Sequence, residues 1–105
     1  MVAIMEISVL PVGTGNPSIS EHVAECVKVV AAREVKYQVA PMGTVVEGEV
    51  SQLLRLAEEM HHVPFERGAL RVVTSIKLDD RKDKALKMED KTAAVRRRIS
   101  DMQRK

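Results

Sequence analysis

The chain has 105 residues, room for one domain whose core is modest, because a domain of this size buries only about two-thirds of its unfolded surface. With 45% hydrophobic and 30% charged residues it is globular rather than disordered. Its 17 basic and 15 acidic residues nearly balance, and Tyr37 and Phe65 are its sole tyrosine and phenylalanine, which argues against a phosphate-reading surface and against base stacking.

Residues 2–10 alternate as a strand does, with Ala3, Met5, Ile7 and Val9 on one side and Ile4, Glu6, Ser8 and Leu10 on the other. Pro11, Gly13, Gly15, Asn16 and Pro17 punctuate a loop. Ser18 and Glu21 then form a capping-box pattern at the start of a helix, whose stripe is Val23, Cys26, Val27, Val30 and Ala31. Two short strands are expected over 36–40 and 44–49, joined by Pro41-Met42-Gly43, with Gly43 supplying a positive φ. From Val50 the period returns to helical. Val50, Leu53, Leu54, Ala57 and Met60 mark a second amphipathic helix that is expected to stop before Pro64. After Gly68, residues 70–79 alternate again, with Leu70, Val72, Thr74, Ile76 and Leu78 opposite Arg71, Val73, Ser75 and Lys77.

A third helix is expected over about 83–102. Asp79 to Asp83 would give it a polar start, and Ala85, Met88, Thr92, Val95, Ile99 and Met102 a heptad seam. Arg96-Arg97-Arg98 suit its C-terminal half and read first as a solvated helix end.

The order β-α-β-β-α-β is the split βαβ pattern. It predicts an α+β fold of ferredoxin-like type over residues 1–105, with an antiparallel four-stranded sheet, two helices on one face and a C-terminal helix added. The other face would gather Glu6, Ser8, Gln38, Glu47, Arg71, Ser75 and Lys77, mixed with Val45 and Val73. Burying such a face requires its charges to pair, and a second copy across a two-fold axis would pair them.

Each candidate site has a plain structural reading beside the functional one. Gly13 to Ser18 lies between strand and helix, where free N–H groups hold anions, or it is simply a capped connection. It has neither a Walker A lysine nor a third Rossmann glycine. Met42-Gly43-Thr44 is a ligand edge or a turn. His61 and His62 are adjacent on a helix and point about 100° apart, which suits no common metal. Cys26 sits on the apolar stripe as a core residue. No nucleophile–base set or carboxylate pair can be assembled, so no catalytic residue and no metal site is expected. With one cysteine, no basic leader and no apolar run of about 18 residues, the protein is expected in the cytoplasm, away from membranes.

Three stretches taken together, Val9 to Thr14 with Pro17 to Ser20, Tyr37 to Glu49, and Arg71 to Lys84, resemble the thiamine-binding protein family of small ferredoxin-like proteins. The resemblance implies sheets packed across a dimer interface, dimers paired into tetramers, and a pocket for thiamine or its hydroxymethylpyrimidine part near the first strand–helix connection and the hairpin. The matching positions are Val9, Leu10, Thr14, Gly43 and Thr44.

The expected function is a non-catalytic, self-assembling binder of a small heteroaromatic. Thr14, Ser18, Ser20 and Thr44 would hydrogen-bond it, Met42 and Tyr37 would contact its ring, and Glu6 or Glu47 would balance a cationic ring. No cofactor is expected beyond a bound thiamine or pyrimidine. The alternatives are a self-assembling structural or regulatory protein without a ligand and, on the basic tail alone, an anion- or nucleic-acid-binding module.

Overall fold

The alternation of residues 3–10 is what the sheet uses. The structure, a computed structural model, describes residues 1–16 and 19–104. Strand β1 (Ala3–Val12) lies between β3 (Gly43–Gly48) and β4 (Arg71–Asp79), and the short β2 (Tyr37–Ala40) flanks β3. The order is β2-β3-β1-β4 and every pairing is antiparallel. Successive strand side chains point to opposite faces, so Ala3, Met5, Ile7 and Val9 share one face and are buried there. Helices α1 (Ser20–Ala31) and α2 (Val50–Glu66) cover that face, and Cys26, Val30, Leu53, Leu56, Ala57 and Met60 complete the core. The fold is ferredoxin-like.

Register places the expected residues on the opposite face. Glu6 stands across from Val45 and Lys77, Ile4 from Glu47 and Asp79, Ser8 from Ser75, and Leu10 from Val73. This face is not wholly bare. Leu86 and Met88 pack on Ile4 as a second small core, so the chain itself covers the end of the sheet that holds Ile4 and Glu47.

Three local expectations are corrected. Helix α2 does not stop before Pro64 but runs through it to Glu66. Proline has no N–H to give the carbonyl four residues back, and that carbonyl, Met60 O, instead accepts the Cys26 thiol at 3.5 Å. The helix ends at Glu66, and Gly68, with a φ of +98°, supplies the left-handed step just beyond its C-cap Arg67. The buried stripe of α2 is Leu53, Leu56, Ala57, Met60 and Pro64, while Leu54 faces out. Gly43 does not take a positive φ; it opens β3, and a Cβ there would lie 3.0 Å from Ile7 O. Its lack of a side chain serves close approach to β1 rather than the turn.

The third correction concerns α3, which runs over Met88–Gln103 and not from about 83. Residues 80–87 form a non-helical connection, pinned by the Leu86 N–H donating to Val2 O at 3.0 Å. Glu89 and Asp90, rather than Asp79 to Asp83, supply the carboxylates of its first turn. For α1, Ile19 is the N-cap residue and makes no side-chain cap; the capping box on Ser18 lies outside the described residues.

Candidate functional site: a cavity at the end of the sheet

β3 pairs with β1 only as far as Thr44 opposite Ile7, whereas β1 continues beside β4 to Val12. Ser8 to Leu10 therefore have no strand on their β3 side. Alternate residues of a strand aim N–H and C=O toward each edge, so this stretch offers backbone donors and acceptors to whatever lies there. What lies there is a cavity of about 150 Å³. Its walls are Ser8, Val9 and Leu10 from β1, the hairpin from Ala40 to Thr44, Ile19, Val23 and Cys26 from α1, and Met60 from α2.

The lining is aliphatic and sulfur-rich, and among the described residues it includes no charged side chain. Thr44 is 4% exposed and brings a hydroxyl into this apolar surround; Ser8 borders it from β1 with its side chain on the opposite sheet face. Burial pushes the Cys26 thiol above its ordinary range, and the neighbouring Glu25 carboxylate adds to the shift. The wall is thus a neutral S–H already committed to Met60 O, not a thiolate.

Of the residues singled out in the sequence, Val9, Leu10, Met42, Gly43 and Thr44 converge on this cavity. The others do not. Thr14 lies in the exposed loop, where its hydroxyl donates to Asn16 O at 3.0 Å. Ser20 opens α1 and borders a neighbouring surface groove. Tyr37 stands at the far end of β2, opposite Val46, so the cavity has no aromatic wall. Glu6 belongs to the opposite sheet face, as does Glu47, whose carboxylate is buried and accepts the Met88 N–H at 2.8 Å. With one oxygen on the start of α3 and the other 3.9 Å from Lys36 Nζ, Glu47 holds a helix in place. Ser18 lies outside the described residues.

Sequence reasoning missed Ser8, Ile19, Cys26 and Met60 as cavity walls. One signal was present. A proline inside an amphipathic pattern frees the carbonyl four residues earlier, and Pro64 therefore pointed at Met60 as a position needing a donor. Elsewhere, His61 Nδ1 lies 2.7 Å from Thr74 Oγ1 and its ring meets Phe65 edge-on. Among the described residues no group of three or more His, Cys, Asp or Glu is placed to hold a metal ion. Among the described residues no helix is long and apolar enough to cross a membrane.

The family model described as "Thiamine-binding protein" matches residues 5–96, which contain every wall of this cavity. The chain belongs to the thiamine-binding protein family. Its relatives in this family include the UPF0045 protein YqgV of Bacillus subtilis, 38% identical over 93% of this chain and 98% of that protein. A UPF0045 protein of Methanothermobacter thermautotrophicus is 34% identical over 90% and 96% of the two chains. The crystal structure of MJ1052 from Methanocaldococcus jannaschii superposes with a TM-score of 0.81 at 33% identity, over 90% of this chain and 95% of that one. These relatives come from bacteria and archaea, and each match spans 90% or more of both chains.

Proposed function

We propose that this member of the thiamine-binding protein family is a non-catalytic, self-associating binder of a small, flat, uncharged heteroaromatic ring, and that the ring occupies the cavity beside Ser8 to Leu10. The observation that carries this reading is the pairing of an open strand edge with a largely apolar pocket. A planar heterocycle presents donors and acceptors around its rim and apolar faces above and below, and the cavity presents the converse. Apolar cavities of about 150 Å³ take a benzene-sized ring. That fits one ring of a thiamine-type ligand, and the uncharged lining favours the pyrimidine over the cationic thiazolium. The second ring would rest outside, near Met42, which is 88% exposed. Self-association is supported by the apolar side chains Leu10, Val12 and Val73, each about 40% exposed on the sheet face that α1 and α2 leave uncovered. The soluble compartment of the cytoplasm is where such a binder with one reduced thiol is expected.

Isothermal titration with hydroxymethylpyrimidine and with thiamine tests this reading. Heat is expected with the pyrimidine, and Thr44→Val is expected to weaken it about tenfold, the effect of one lost buried hydrogen bond. Flat titrations with both compounds at millimolar concentration would leave a self-assembling protein without a small ligand as the better reading.

A further inference from the structure

Pro64 is fully buried inside α2. Its nitrogen carries no hydrogen, and its ring crowds the carbonyl four residues back, so Met60 O loses its place in the helical ladder. Met60 is 2% exposed, and a carbonyl buried to that degree needs a donor. The Cys26 thiol, 3.5 Å away across the contact between α1 and α2, supplies one. A thiol is a weak donor, and a carbonyl oxygen has two lone pairs. Met60 O therefore keeps acceptor capacity, and both residues of the pair are walls of the cavity.

We propose that the cavity selects its ring by an amino group, that this group donates to Met60 O, and that Pro64 sets the specificity by keeping the oxygen open. The proposal rests on the function proposed above and assigns the group on the ring that the site reads. The other polar groups around the cavity do not discriminate. The free edge of β1 at Ser8 to Leu10 carries N–H and C=O alternately, so it meets donors and acceptors alike. Thr44 shares the helix-covered face with Ile7, and its buried hydroxyl makes no hydrogen bond within the described residues. A hydroxyl both donates and accepts, so Thr44 too suits either kind of rim.

Met60 O only accepts. A ring with an amino group beside a ring nitrogen offers N–H to Met60 O and the nitrogen to Thr44. The oxo counterpart, in which C=O replaces the amino group, sets a second acceptor against Met60 O. Neither oxygen then has a partner, and leaving buried polar groups unpaired is costly. A site built to take a hydrogen bond rejects the analogue that cannot make it far better than an apolar wall rejects a change of shape. The selection is made by an unpaired acceptor, with no charged side chain needed.

Isothermal titration of the full chain with hydroxymethylpyrimidine, which carries the amino group, and with its oxo counterpart tests the assignment. The native chain is expected to bind the amino compound about tenfold more tightly, the effect of one buried hydrogen bond. Pro64→Ala gives Met60 O a backbone N–H of its own, which together with the Cys26 thiol takes both lone pairs. Alanine is the better helix residue, so this chain is expected to fold. Its affinity for the amino compound should fall about tenfold while that for the oxo compound stays, which a mere packing role of Pro64 would not produce. Cys26→Ala removes the weak donor and leaves Met60 O open, so it should keep the preference for the amino compound. Equal binding of the two compounds by the native chain, or an unchanged preference in Pro64→Ala, would overturn the assignment and leave the ring-binding function standing. A preference lost in Cys26→Ala but kept in Pro64→Ala would give the discrimination to the sulfur instead, and overturn it too. No heat from either compound would remove the function and the assignment together.

Discussion

At the scale of single residues, Cys26 shows how a role changes once its partner is known. In the sequence it is a small hydrophobe on a helix stripe; in the fold its thiol answers the Met60 carbonyl that Pro64 leaves without a donor, at the wall of the cavity. Cys26→Ala removes that donor and part of a packed volume, and is expected to cost about 1–2 kcal/mol in urea unfolding. The thiol's raised pKa also has a stability consequence. The unfolded chain releases this proton first, so folding favours the protonated form, and the advantage falls away as pH rises through the ordinary thiol range. Alkaline titration of unfolding should show that loss in the native chain and less of it in Cys26→Ala.

At the scale of elements, α3 depends on tertiary support more than on its own sequence. Its N-cap residue Lys87 makes no side-chain cap, and Glu47, forty-one positions earlier, supplies the acceptor for Met88 N–H. Glu47→Ala is expected to cost about 1 kcal/mol and to loosen α3 before the rest of the fold. Hydrogen exchange of residues 88–103 against that of β1 checks the order of opening. Acid should act on the same turn. The Lys36 ammonium on the Glu89 carboxylate holds that carboxyl below the usual range, so its contribution is present at neutral pH and is lost as pH falls through the depressed value. Both groups are largely exposed, so the effect is expected to shrink with added salt. Chemical shifts of residues 88–92, followed on acidification at low and high salt, report it directly.

At the scale of the whole molecule, the cavity lies where the sheet is incomplete, at the boundary between β1, the hairpin and α1. A ligand there touches four elements at once and binds the folded chain alone. Saturation with hydroxymethylpyrimidine at a hundred times its Kd is expected to add about 2.7 kcal/mol to unfolding, seen as a raised Tm. A ligand held by one exposed loop would order little of this fold and need not show a cooperative shift across all probes.

The periodicities of the sequence determined the element order, the two faces of β1 and the residues of the charged sheet face, because burial on one side imposes a period of two on strands and about 3.6 on helices. Resemblance to a family pointed at Val9, Leu10, Gly43 and Thr44, which line the candidate site, and at Thr14, which does not. What only the tertiary structure decided was everything set by partners distant in the chain. It placed Cys26 and Met60 beside that site, took Glu47 away from it to hold α3, carried α2 through Pro64 and moved the start of α3 to Met88. A local pattern records which side of an element is buried, whereas a carbonyl freed by proline or a helix capped from another strand depends on groups that come together only when the sheet closes.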